Sequence, residues 1–165
     1  MNLDVAYLKA IKKEIAGLPS DRRIAFAASC CERMLPNYSA FIREEGSGDP
    51  SILRTALDEV WEILQGKSVN SDRINQLIED CESAVPEFDY LEKGLYAYEA
   101  QQSAEAIRHA LELCLTPNPQ LAVKVTECVV NTIDEFIRLQ KDIFAPSWNE
   151  KPYKEQIEEI DNHLF

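Results

Sequence analysis

The chain has 165 residues with a net charge of −12, 17 basic against 29 acidic side chains. Its length fits one domain able to bury a core without disulfide or metal staples. Such acidity argues against nucleic acid or anionic lipid as a partner, because both are polyanions. It suits a basic protein partner, or simple solubility. With 45% hydrophobic residues, only five glycines and apolar spacing that is helical nearly throughout, the fold class is all-α, a single-domain compact bundle of seven to eight helices over residues 1–165.

The first predicted helix covers residues 3–17, its stripe formed by Leu3, Ala6, Tyr7, Ala10, Ile11 and Ile15. Gly17-Leu18-Pro19 closes it, and Ser20 or Asp21 caps the next. In that second helix Ile24, Ala27, Ala28, Cys31, Met34 and Leu35 make an apolar stripe that Phe26 and Cys30 widen. So wide a face predicts a central helix, Ser20–Leu35, sandwiched between others. Pro36 lacks an N–H and crowds the preceding turn, which predicts a break or kink at Leu35 and a short further helix holding Tyr38, Phe41 and Ile42. Gly46 falls where a left-handed cap belongs.

Asp49-Pro50 reads as an N-cap with proline in the first turn, opening a helix that buries Leu53, Ala56, Leu57, Val60, Ile63 and Leu64. Gly66 stops it. Asn70-Ser71 starts the next, with Ile74, Leu77, Ile78, Cys81 and Val85 on its inner side and Glu79, Asp80 and Glu82 outside. After an acidic, aromatic segment at 87–94, a long helix from Leu95 to Leu115 carries Ala97, Ala100, Ala104, Ile107, Leu111 and Cys114. The turn Thr116-Pro117-Asn118-Pro119 leads into a helix with Ala122, Val125, Val129, Ile133 and Phe136 inside. Pro146 and Pro152 bracket a turn with Trp148, and a last helix runs from Tyr153.

The most distinctive residues are Cys31-Glu32-Arg33-Met34-Leu35-Pro36-Asn37-Tyr38, Phe41, Gly48-Asp49 and Trp61-Glu62. In these the chain resembles the YjaG-like family of bacterial proteins, a domain-of-unknown-function family. The resemblance implies an all-α fold and carries over no activity and no catalytic residue.

If the second helix and the Trp61 helix lie side by side, Glu32, Arg33, Asn37, Tyr38, Asp58, Trp61 and Glu62 converge. They would form a polar cleft with an aromatic wall, suited to a small cationic ligand or a basic peptide. The competing reading gives Arg33 a salt bridge to Asp58 or Glu62 in a covered groove, Asn37 a capping role, and Tyr38 and Trp61 to the core.

No metal, cofactor or nucleophile motif stands out. Glu105 and His109 are one turn apart but lack the second histidine of a zinc-protease helix, so an exposed charge pair is expected. Cys30, Cys31, Cys81, Cys114 and Cys128 contain no Cys-x-x-Cys and lie in or beside apolar stripes, as buried reduced thiols do. Residues 46–115 hold 5 basic and 14 acidic side chains, a balance of −9. No run approaches the ~20 apolar residues of a membrane span and no signal-peptide pattern opens the chain, so a cytoplasmic setting is expected. The leading functional expectation is a non-enzymatic interaction protein, in one form homo-oligomeric. The alternatives are an acidic neutralising module, like an immunity protein or nucleic-acid mimic, and a small-ligand binder or enzyme using the Glu32–Glu62 cluster.

Overall fold

A computed structural model describes residues 5–46, 48–87 and 96–143. The helix expected from Tyr153, the Trp148 turn and most of the 87–94 segment lie outside them. All secondary structure among the described residues is helical: α1 (Val5–Gly17), α2 (Ser20–Glu45), α3 (Pro50–Leu64), α4 (Ser71–Ser83), α5 (Ala97–Leu115) and α6 (Pro119–Ile143). The chain falls into two compact units, Met1–Thr132 and Ile133–Phe165. The core and the site described below belong to the first.

Three boundaries follow the local chemistry. Gly46 ends α2 with a left-handed φ of 66°, its N–H donating to the Ile42 carbonyl at 2.8 Å. Asp49 caps α3, its carboxylate accepting from the Ser51 N–H at 2.8 Å, with Pro50 opening the helix where the missing N–H costs nothing. Asn70 caps α4 by accepting from the Arg73 N–H at 3.0 Å. The start of α2 differs from expectation. Pro19 occupies the capping position with no side-chain bond, and Ser20 and Asp21 lie inside the first turn.

Pro36 neither ends nor splits α2, which runs unbroken for 26 residues. The proline forfeits one backbone bond, that to the Glu32 carbonyl. Burial on both sides of it outweighs that loss: Cys31 and Met34 before, Tyr38 and Phe41 after, are all 4% exposed or less. Full burial of side chains of this size contributes about 1.5–3 kcal/mol each, against the ~3 kcal/mol that an interior proline costs. The two helices expected around Pro36 are therefore one.

Among the described residues α2 packs against α3 and α5, as a sandwiched helix does, and α5 packs against α2, α3 and α4. The reason is in its small residues. Ala97, Ala100, Ala104, Ala106 and Ala110 spread around the helix and are at most 1% exposed, letting neighbours approach on several sides, while Ile107, Leu111 and Leu113 fill the remaining space. Ser103 joins two of these helices: its buried hydroxyl sits 2.8 Å from the carbonyls of Met34 on α2 and Glu99 on α5. From α6, Ala122, Val123, Val125 and Cys128 enter the same core, and Asn131 donates to Gln102 of α5 at 3.1 Å.

One buried cation organises the chain ends of three helices. Arg23 is 8% exposed and its guanidinium meets only backbone carbonyls: Ile15 at 3.3 Å, Ala16 at 3.5 Å, Leu18 at 2.7 Å and Pro117 at 3.0 Å. The first three close α1, whose last carbonyls carry the negative end of the helix dipole. The fourth ties down the turn between α5 and α6.

Candidate functional site

Because α2 and α3 lie side by side, part of the anticipated cluster does converge. Met34 and Cys31 face the core, which rotates Glu32 to the edge of the α2–α3 seam. Residues 54, 58 and 61 recur at helical spacing and line the facing edge of α3. Glu32 accepts two bonds from Arg54, at 2.9 and 2.8 Å, in the fork-to-carboxylate geometry that arginine alone provides. The Trp61 indole N–H donates to the same carboxylate at 2.7 Å. Asp58 completes the group by accepting from Arg54 Nε at 2.8 Å.

Arg54 is the member the sequence reading missed. Its signal was present, an arginine four residues before an aspartate on a helix. The predicted role of Arg33 is a correction. Arg33 is exposed rather than in a covered groove, and the arginine that joins Glu32 to Asp58 is Arg54. One residue of offset is about 100° of helix rotation, enough to take Arg33 off the seam.

The other expected members divide. Tyr38 is 2% exposed and belongs to the core, with its ring end near Gly48, where an added Cβ would come 3.6 Å from the phenol oxygen and 3.2 Å from Ile42. Asn37 is half-buried one turn beyond Arg33. Trp61 is half-buried. Glu62 faces another way: it binds Lys67 at 2.7 Å, which also binds Glu59 at 2.8 Å. Glu59 is 5% exposed, an unanticipated carboxylate inside an otherwise apolar helix face.

Glu32 is held below the usual carboxylate range, first by its bonds from Arg54, against burial, and further by the Trp61 bond. A folded-state pKa below the unfolded one means stability that is present above the unfolded pKa, about 4.3, and lost as pH falls through the folded value. Since Glu32 and Arg54 are each 38% exposed, Glu32→Gln should remove no more than about 1 kcal/mol at pH 7. The same variant should lose less stability than wild type between pH 5 and pH 3. Urea titrations at several pH values read both effects, and parallel pH profiles would refute the assignment.

Histidine chemistry takes a different form from the expected exposed Glu105–His109 pair. His109 is 7% exposed and bonds Glu112 through Nδ1 at 2.9 Å, while Glu105 accepts from Gln101 at 3.2 Å. Arg108 Nη2 stands 3.5 Å from Nε2 of His109, which fits a neutral ring donating from Nδ1. Burial, above all, pushes the imidazole below its ordinary value.

Cys31, Cys81 and Cys128 are buried, and Cys30 and Cys114 half-buried. Desolvation pushes Cys81 and Cys128 up to about 12 and Cys114 up to about 11, away from the thiolate a nucleophile needs. Native protein should therefore react with a disulfide reagent over many minutes, and all five thiols within seconds once urea unfolds it. A stoichiometric burst in native buffer would contradict this.

A family model described as "Protein of unknown function (DUF416)" matches residues 10–161. The "Uncharacterized protein YjaG" of Escherichia coli is 31% identical over 152 residues, covering 90% of this chain and 76% of that protein. An "Uncharacterized protein" of Haemophilus influenzae is 31% identical over 157 residues, covering 93% and 76%. The crystal structure of a DUF416 family protein from Shewanella baltica aligns with a TM-score of 0.73 at 24% identity, over 93% of this chain and 80% of that one; that likeness concerns the fold. With the family model matched across nearly its whole length and relatives that retain three residues in ten, the chain belongs to the DUF416 family, to which the YjaG-like residues around Glu32 and Trp61 pointed.

Proposed function

We propose that this protein is a non-enzymatic interaction protein of the cytoplasm that engages a basic protein partner through its acidic surface. The observation that carries the reading is the run of exposed carboxylates on α3 and α4: Asp58, Glu62, Asp72, Glu79 and Glu82. They lie in the part of the chain with a balance of −9. An excess of negative charge steers an oppositely charged protein and repels nucleic acid.

Two further observations support it. Glu32, Arg54, Asp58 and Trp61 satisfy one another, which leaves no free base or acid there for catalysis or for gripping a small ligand. The thiols are desolvated rather than activated. No helix of the described residues is long and apolar enough to cross a membrane, which accords with a cytoplasmic setting. Self-association would have to use a face other than this acidic one, because two copies of it repel.

The test is affinity capture from native lysate at low and high salt, with wild type and with Glu79→Lys/Glu82→Lys. A partner that is basic, is released by salt and is lost by the charge-reversed variant supports the reading. A partner retained equally in high salt and by the variant overturns it.

A further inference from the structure

We infer that Glu59 and Glu62 form a notch for a guanidinium group, that Lys67 of the same chain plugs it, and that an arginine of the basic partner is its ligand. The inference rests on the partner reading above and names the point of contact.

One carboxylate oxygen of the notch is unmatched. Glu59 is 5% exposed, and its Oε1 is buried with no hydrogen-bond donor. Leaving a buried carboxylate oxygen unpaired is costly, so this position selects for a donor. Its twin Oε2 is already served, by Lys67 Nζ at 2.8 Å, with Arg73 Nε 4.0 Å from the same atom and beyond hydrogen-bond range. The site is therefore half satisfied.

The plug is of the wrong shape to finish the task. An ammonium is a compact point charge, and that of Lys67 is shared between Glu59 and Glu62. A guanidinium presents two parallel N–H groups that match both oxygens of one carboxylate. The chain demonstrates this match elsewhere, where Arg54 binds both oxygens of Glu32.

The plug is also removable. Lys67 follows Gly66, which has a φ of 104° in the turn after α3, and its side chain is 43% exposed. Swinging into water would break only side-chain contacts. An arriving arginine would replace one positive charge by another, so the charge of the notch is preserved. Glu62, on the same face one turn later and 55% exposed, would take the outer N–H groups.

The experiment uses fluorescently labelled, end-capped hexa-arginine and hexalysine peptides, titrated by anisotropy at low salt. The arginine peptide should bind at least about fivefold tighter than the lysine peptide. Lys67→Ala should tighten the arginine peptide by up to about fivefold, the factor an exposed ion pair can contribute. Glu59→Gln should erase the preference. Since Glu59 is buried and that variant could fold poorly, the ¹³C resonance of the Glu59 carboxyl in wild type supplies a readout without substitution, and it should move when the arginine peptide binds. Equal affinity for the two peptides, indifference to Lys67→Ala, or an unmoved Glu59 signal during binding would each overturn the notch. Salt-sensitive capture of a basic partner from lysate would survive those outcomes, whereas its own failure would remove the broader reading.

Discussion

Arg23→Met should lower stability by about 3 kcal/mol or more, the largest loss expected of any single charged residue here. The guanidinium is buried and makes four hydrogen bonds to carbonyls, three at or just past the end of α1 and one at Pro117. Hydrogen bonds from a charged donor contribute about 1.5–3 kcal/mol each, and removing the donor also strands acceptors away from water. Methionine keeps much of the volume, so packing loss is small beside the polar loss. For a chain of this size each 1 kcal/mol shifts the melting temperature by about 2–4 °C, so a drop of roughly 6–12 °C is expected. Arg33→Ala is the control: exposed on α2, it should change stability by at most about 1 kcal/mol. A thermal melt of both variants decides the matter, and a reversed order of the two would refute this account.

Leu111→Ala should cost about 2–5 kcal/mol, in the upper part of that range. Leu111 is fully buried on α5, the helix that α2, α3 and α4 all pack against. Neighbours fixed on three sides cannot collapse into the vacated volume, and the residual cavity adds to the lost transfer free energy. Leu121→Ala makes the comparison, since Leu121, in the first turn of α6, is only half-buried at the edge of the core. The expected reading in urea is a lower midpoint with an unchanged slope for Leu111→Ala and a much smaller change for Leu121→Ala. Equal losses at the two positions would place the core elsewhere than on α5.

Both predictions depend on features of unequal legibility. The Asp49-Pro50 and Asn70-Ser71 helix starts and the Gly46 stop were legible because a cap is a contact between near neighbours in the chain. So was the inward face of α3, where Leu53, Ala56, Leu57 and Val60 are fully buried as their spacing requires. Glu32, Asp58 and Trp61 were anticipated as one cluster, and the seam between α2 and α3 brings them together. Arg54 was overlooked because, viewed along its own helix, it is an ordinary exposed arginine with an aspartate four residues on. Its second partner, Glu32, lies 22 residues earlier in the chain.

What the amino-acid sequence determined by itself was the helical class, most helix boundaries, the apolar faces and the acidic character of the chain. Each follows from periodicity, caps or composition, and none needs to know which helix meets which. The tertiary structure decided the rest. It laid α2, α3 and α4 against α5, carried α2 through Pro36, buried Arg23 among carbonyls and Glu59 beneath Lys67, and exchanged Arg33 for Arg54 at the seam. These outcomes depend on residues far apart in the chain meeting across helix surfaces, and on burial energies large enough to override a local preference such as that of proline.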